Sequence, residues 1–237
     1  MELEGEKIVI IGGSSGIGLA TARRAIKEKA SVVICSRSEE KLEKAREGLG
    51  NQVSTHVVDI SSKDDLKRLF ERTGDLDHLF ITAGSTGGGL IVKTEMEQAR
   101  KTMDTRFWGC YNATHFAAGR MSKHGSITFM SGNVTLRPIR GSSVGAASVA
   151  AVEAFARSAA LELAPIRVNT IRAGLVDTPL LDAFGENRQG IIDGYIKRSP
   201  LKRIGSSEDV AAAAIYLMKN EFTTGTVLHI DGGGILV

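Results

Sequence analysis

Ile8-Val9-Ile10-Ile11-Gly12-Gly13-Ser14-Ser15-Gly16-Ile17-Gly18 decides the fold of this 237-residue chain. Four consecutive β-branched apolar residues read as a strand buried on both faces. The glycines that follow turn the backbone tightly, and the apolar pattern resuming at Ile17 starts a helix. A helix N-terminus offers unpaired N–H groups and a positive dipole end, so such a turn is built to receive an anion. Ser14 and Ser15 add hydroxyl donors. A glycine-rich turn also occurs for structural reasons alone. Its place between the first strand and the first helix raises this one to a dinucleotide-binding candidate.

The pattern continues along the whole chain. Short apolar runs near 7–11, 31–35, 53–58, 77–82, 126–130, 166–171 and 226–230 read as strands. Amphipathic segments near 16–29, 39–48, 62–73, 94–119, 142–163 and 207–218 read as helices between them. Strict strand–helix alternation implies right-handed crossovers and an α/β fold. The expectation is a Rossmann-type doubly wound sheet of seven parallel strands with helices on both faces. No shift in composition divides the chain, so residues 1–237 are expected to form one domain. Segment 173–206 has no clear form, with Pro179, Gly185, Gly190, Gly194 and Pro200 among apolar residues; within it, 179–206 is the expected substrate lid.

Composition narrows the function. The net charge is +3, from 30 basic and 27 acidic residues that are well mixed, so no tail or patch points to nucleic acid. The longest apolar runs are strand-sized, too short for a membrane span. The acidic start Met1-Glu2-Leu3-Glu4 does not read as a signal peptide. Cys35 and Cys110 are the only two cysteines and read as small buried apolar side chains. Together these features point to a cytoplasmic protein with reduced thiols and no metal site.

The end of the second strand bears on cofactor choice. A site preferring NAD(H) carries an acid there for the ribose 2′-hydroxyl. This chain has Ser36 followed by Arg37, a hydroxyl and a guanidinium that suit a 2′-phosphate. NADP(H) is therefore expected over NAD(H). The plainer reading makes Arg37 a solvated residue before a helix capped by Ser38.

Over nearly its full length the chain resembles the short-chain dehydrogenase/reductase family. Gly12, Gly16 and Gly18 match the family's cofactor turn. Asp59-Ile60 match its adenine-holding pair, and Thr82-Ala83-Gly84 its Asn-Ala-Gly. Gly174, Val176 and Thr178 fall in its nicotinamide-holding segment, where Ala173 replaces a proline. Ile230-Asp231-Gly232-Gly233 match the closing strand and turn. The resemblance implies a nicotinamide cofactor. It also implies a homodimer or homotetramer through helices 94–119 and 142–163.

The catalytic positions depart from that pattern. The resemblance calls for Asn, Ser, Tyr and Lys; the chain places Arg106, Gly132, Gly145 and Val149 there. In the family the tyrosine moves the proton at the carbonyl oxygen, the lysine lowers its pKa, and the serine steadies the oxyanion. Loss of a general acid costs about 10²–10⁴ in rate and loss of an oxyanion donor about 10²–10³. Arg106 and Ser131 are the remaining candidates for a catalytic role: Arg106 as a replacement cation, Ser131 as an oxyanion donor. Arg137 and Arg140 read as surface charge, and Trp108, Tyr111 and His115 as helix packing or interface residues.

Three functions fit. One is an NADP(H)-dependent oxidoreductase acting on an activated carbonyl or quinone-like small molecule, which needs little acid catalysis. The second is a catalytically silent NADP(H)-binding sensor or scaffold. The third is an elimination or isomerisation enzyme using the enlarged pocket.

Overall fold

The computed structural model describes residues 2–50, 52–84 and 88–237. Strands β1 (Lys7–Ile11), β2 (Ser31–Ser36), β3 (Val53–Val57) and β4 (Leu76–Ile81) alternate with helices α1 (Gly16–Lys27), α2 (Glu39–Leu49) and α3 (Lys63–Thr73). Helices α4 (Met96–Met103) and α5 (Gly109–Ala118) lead to β5 (Met121–Gly132). After it come α6 (Ser143–Glu162), β6 (Arg167–Ala173), β7 (Val176–Asp177), α7 (Arg188–Arg198), β8 (Gly205–Ser206), α8 (Ser207–Lys219) and β9 (Val227–Ile230). Seven strands form one sheet in the order β3-β2-β1-β4-β5-β6-β9, and every pairing is parallel. This is the expected doubly wound Rossmann-type fold. The short β7 and β8 pair separately.

Alternation along each strand divides the interior into two cores. Ile8 and Ile10 of β1, Ile34 of β2 and Phe80 of β4 pack with α1, α2 and α8. Val9, Ile11, Leu79 and Ile81 point the other way, toward α3, α5 and α6. Cys35 and Cys110 lie buried in this second core as free thiols. Burial pushes the Cys110 thiol up to about 12 and shifts Cys35 in the same direction.

Three features differ from the sequence reading. β5 begins at Met121, ahead of the expected 126, and its register with β4 shifts between the Leu76–Met121 and His78–Ser126 pairs. The predicted helix 94–119 is interrupted by one π-helical turn, Asp104–Trp108, which carries Arg106. α6 is long and apolar enough to cross a bilayer by length and composition, although its apolar residues are interrupted and do not read as one run. It spends that apolarity on the sheet: Val149, Val152, Ala156 and Ala159 are buried in the crossover between β5 and β6.

Segment 173–206 is also better ordered than its composition suggested. A 3₁₀ stretch covers Pro179–Asn187, broken by Gly185 at φ 53°, and α7 follows. Tyr195 of α7 donates a hydrogen bond to the Asp231 carbonyl at 2.6 Å, tying this segment to the turn after β9.

Candidate active site

β1 ends where the glycine turn begins. Gly12 has φ 97° and Gly16 φ 50°, conformations that favour glycine. A Cβ on Gly12 would collide with Thr82 Oγ1, and one on Gly18 with the Gly12 carbonyl oxygen. The turn is held by its neighbours: the Gly12 and Gly13 amides donate to the Cys35 carbonyl at 2.8 and 3.1 Å. Thr82 Oγ1 donates to the Gly12 carbonyl at 3.0 Å.

The start of α1 differs from those of α2, α3 and α8 and shares with α6 the lack of a side-chain cap. α2, α3 and α8 each begin with a serine side chain accepting a backbone N–H, followed by acidic residues in the first turn. α1 has neither a side-chain cap nor an acid. Its first N–H groups and positive dipole end therefore meet no acid from the helix's own first turn.

That crevice has a volume of about 380 Å³. It is lined by Gly12, Ser14, Ser15, Gly16 and Ile17 from the turn, Ser36 and Arg37 after β2, Asp59 and Ile60 after β3, Ala83 and Gly84 after β4, and Thr178. Twelve of the fifteen residues expected to bind cofactor thus converge on one space. Gly18 packs beneath the turn. Gly174 lies against the Tyr195 hydroxyl and Asp231, and Val176 pairs with Gly205; neither lines the crevice. Asp59 keeps one carboxylate oxygen occupied, since Oδ1 accepts from the Ser61 amide and hydroxyl at 2.9 and 2.7 Å.

Lys41 also lines the crevice, beside Ser36, Arg37 and Ser38. The sequence reading missed it because a lysine in an acidic helix looks like a solvated charge. Its backbone N–H donates to the capping Ser38 Oγ at 3.3 Å, which places it in the first turn of α2, above the end of β2. A register drawn from the cap would have found it.

The remaining positions lie at the carboxyl ends of β4 and β5. Gly132 closes β5 opposite Ala173. A Cβ there would meet only the Ala173 carbonyl oxygen, at 3.9 Å, so room is open above it. Val149 is buried and Gly145 half-buried in α6. The π turn places the Arg106 guanidinium against Gly84, with Cδ 2.7 Å from where a Cβ would stand and Nε and Cζ closer still. Burial lowers the Arg106 pKa, partly opposed by neighbouring Cys110. Guanidinium groups nonetheless stay protonated in proteins.

The Ser131 hydroxyl, considered from sequence as an oxyanion donor, is turned toward Glu153. It donates to Glu153 Oε1 at 2.5 Å, so its proton is committed inside the core. Glu153 in turn receives Arg172 Nε at 2.9 Å and Nη2 at 2.5 Å. Arg172 Nη1 reaches His229 Nε2 at 2.9 Å. Because arginine can only donate, His229 accepts there and carries its proton on Nδ1. Ser131, Arg172 and His229 are register partners across β5, β6 and β9, with Glu153 of α6 above them. Among the described residues no group of three His, Cys, Asp or Glu could hold a metal ion.

The family model described as Enoyl-(Acyl carrier protein) reductase matches residues 12–234. A short-chain dehydrogenase/reductase of Stachybotrys chlorohalonatus is 33% identical, the match covering 99% of this chain and 98% of that protein. The chain belongs to the short-chain dehydrogenase/reductase family. The 3-oxoacyl-[acyl-carrier-protein] reductase of Thermotoga maritima is 32% identical, with both chains covered in full. Among solved structures, a small-chain dehydrogenase in complex with NADPH superposes with a TM-score of 0.87 at 33% identity, covering 99% of this chain and 100% of that one. The MalC Reductase/Diels-Alderase from Malbranchea aurantiaca superposes with a TM-score of 0.92 at 28% identity, covering 99% and 98%. A nicotinamide cofactor and oxidoreductase chemistry are family properties, and the glycine turn, the uncapped α1 and the crevice fit that cofactor.

Proposed function

We propose that this chain is an NADP(H)-dependent oxidoreductase that reduces an activated carbonyl or quinone-like small molecule without the tyrosine–lysine pair of its family. The observation that carries the reading is the single crevice shared by the glycine turn, Arg37, Lys41 and Gly84. A bound reduced nicotinamide supplies a hydride.

Preference for NADP(H) rests on the rim beyond β2. Ser36, Arg37 and Lys41 offer a hydroxyl and two cations where a carboxylate would repel a phosphate. The neighbour solved with NADPH supports the same choice.

The substrate class follows from what the other positions hold. Gly132 and Gly145 have no side-chain donor, and Val149 has no ammonium group. An ordinary ketone would become a strongly basic alkoxide with no acid beside it. A quinone or conjugated enone yields a delocalised anion that water can protonate. Arg106, held against Gly84, supplies a fixed cation near that developing charge. Segment 179–206 serves as the lid on this reading. The exposed Trp108 and Tyr111 support a homo-oligomer contact through the helices at 94–119 and 142–163.

The test is loss of reduced-cofactor absorbance when protein and NADPH meet a panel of quinones, enones and simple ketones. Quinones and enones should turn over and ketones should not. Arg106→Met should lower kcat by about 10²-fold. Tight NADPH binding with no consumption by any acceptor would instead establish a silent sensor or scaffold.

A further inference from the structure

If the crevice hosts the proposed reduction, the strand ends beside it also carry information about the body of the substrate. In doubly wound sheets ligands lie outside the carboxyl ends of the strands. Three segments follow strands that end there: 88–96 after β4, 133–142 after β5, and 179–187, which β6 leads into by way of the short β7. They carry Ile91, Val92, Met96, Leu136, Ile139, Leu180 and Phe184, each between 40% and 89% exposed. Exposed apolar side chains concentrated on the segments at one end of a sheet are candidates for a binding surface.

One hydrogen bond ties the first two segments together, and the third reaches the crevice. The Gly89 amide donates to the Gly141 carbonyl at 2.6 Å, joining the first two. Leu180 lines the cofactor crevice together with Gly84 and Thr178. Arg137, the cation nearest Leu136 in sequence, is turned aside: its Nε donates to the Ile235 carbonyl at 3.0 Å. Below this rim, Gly132 leaves open space that a serine side chain would fill.

Resting on that reduction chemistry, we propose that the substrate is a bulky, flat, apolar conjugated carbonyl compound, a quinone or enone bearing fused rings or a hydrocarbon tail. Its reacting end uses the room above Gly132. Its apolar body rests on Leu136 and Ile139 on one side and Leu180 and Phe184 on the other. The substrate gains a hydride and takes one proton from water to become the hydroquinone or the saturated ketone, while the reduced nicotinamide is oxidised. The conjugated anion formed on hydride addition needs no acid from the chain, which is why this chemistry and this rim belong together.

The experiment uses the full chain and benzoquinones carrying methyl, pentyl or decyl tails. KM is measured with NADPH. Separately, calorimetry gives the affinity of the matching hydroquinones in the presence of NADP⁺, without oxygen, a readout that needs no turnover. Affinity should rise by up to about fourfold per buried methylene along the first part of the series. Leu136→Ser with Phe184→Ser should cut the decyl-to-methyl affinity ratio by about tenfold while NADPH affinity stays unchanged. Phe222→Ser, an exposed apolar residue in the turn after α8, is the control and should alter neither. Affinity independent of tail length, or a double variant that keeps the wild-type ratio, overturns the inference. Failure of every quinone to oxidise NADPH would sink the reduction chemistry alone, and the calorimetric series would still decide the preference of the rim.

Discussion

Replacing Glu153 tests whether the polar row beneath the site is a cooperative unit. The Arg172 and Glu153 side chains are only 8% and 6% exposed, and their closest N···O contact is 2.5 Å. Two guanidinium nitrogens and the Ser131 hydroxyl all donate to this one carboxylate. At an effective dielectric of about 20, opposite charges about 4 Å apart attract by about 4 kcal/mol. An exposed pair would give about 0–1 kcal/mol. Glu153→Leu removes the carboxylate and leaves Arg172 buried with only His229 to receive it, a loss of about 3–5 kcal/mol. With an m-value of about 3 kcal/mol/M, the urea midpoint should fall by about 1–1.7 M. Arg172→Met should cost a similar amount, because it strands the carboxylate.

The decisive variant is the double one. Glu153→Leu with Arg172→Met removes both charges and fills the space with apolar volume, so it should recover to within about 1 kcal/mol of the parent. A strongly non-additive cycle is the signature of a direct pair. Ser131→Ala alone should cost about 1–2 kcal/mol, since Glu153 keeps Arg172. Midpoints are measured by circular dichroism at one protein concentration, so that any association cancels. A single variant that loses less than about 1 kcal/mol would show that water reaches the pair and that the burial argument fails. A double variant as unstable as the sum of the singles would show that the two side chains act independently.

Four further outcomes are expected. Arg37→Glu with Lys41→Glu should weaken NADPH by about 10–100-fold in a fluorescence titration and leave NADH unchanged; equal loss for both cofactors would remove these residues from a 2′-phosphate site. Gly18→Ala should abolish NADPH binding and cost about 2 kcal/mol or more, because its Cβ meets the Gly12 carbonyl oxygen. Gly48→Ala, which meets nothing within 4 Å in α2, should instead stabilise by about 0.5–1 kcal/mol. The thiols set an alkaline limit. Burial raises both in the fold, so their contribution is complete below the unfolded thiol value of about 8.5 and is lost as pH rises toward the Cys110 value of about 12. Alkylation at neutral pH should track global unfolding, and rapid labelling of the native protein would contradict the burial.

The sequence exposes most of the sheet because most strands obey one rule. β1, β2 and β4 are buried on both faces and each carries an apolar run, Ile8–Ile11, Val32–Cys35 and Leu79–Ile81. β6 breaks the rule: Arg167, Asn169, Thr170 and Arg172 are buried in it. Its place in the alternation revealed it, not its hydrophobicity. The partners that make it tolerable lie far along the chain. Arg167 donates to the Leu217 and Met218 carbonyls at the end of α8, and Asn169 to the Thr223 carbonyl. No periodicity encodes such pairs, so nothing in the sequence sets Glu153 apart. The π turn is hidden for a related reason. One extra residue in a long helix leaves the apolar pattern on both sides intact.

Gly84 links the two halves of the site. In sequence it reads as the last residue of a turn that approaches the cofactor. The fold gives it a second duty, because the Arg106 side chain occupies the space a Cβ would need. A large cation at that position therefore requires no movement of the backbone around it. The same holds at Gly132, where a glycine leaves room and a Cβ would crowd no neighbour. The cofactor cradle is built differently. It depends on left-handed glycines and on amide-to-carbonyl bonds from Gly12 and Gly13 to Cys35, which no other residue can reproduce at Gly12. On the reading proposed above, chemistry in this chain changed where it rests on side chains projecting past the strand ends, and persisted where it rests on backbone. A fold of this kind can exchange its acid–base groups and still hold its nucleotide, because the two functions draw on different parts of the polypeptide.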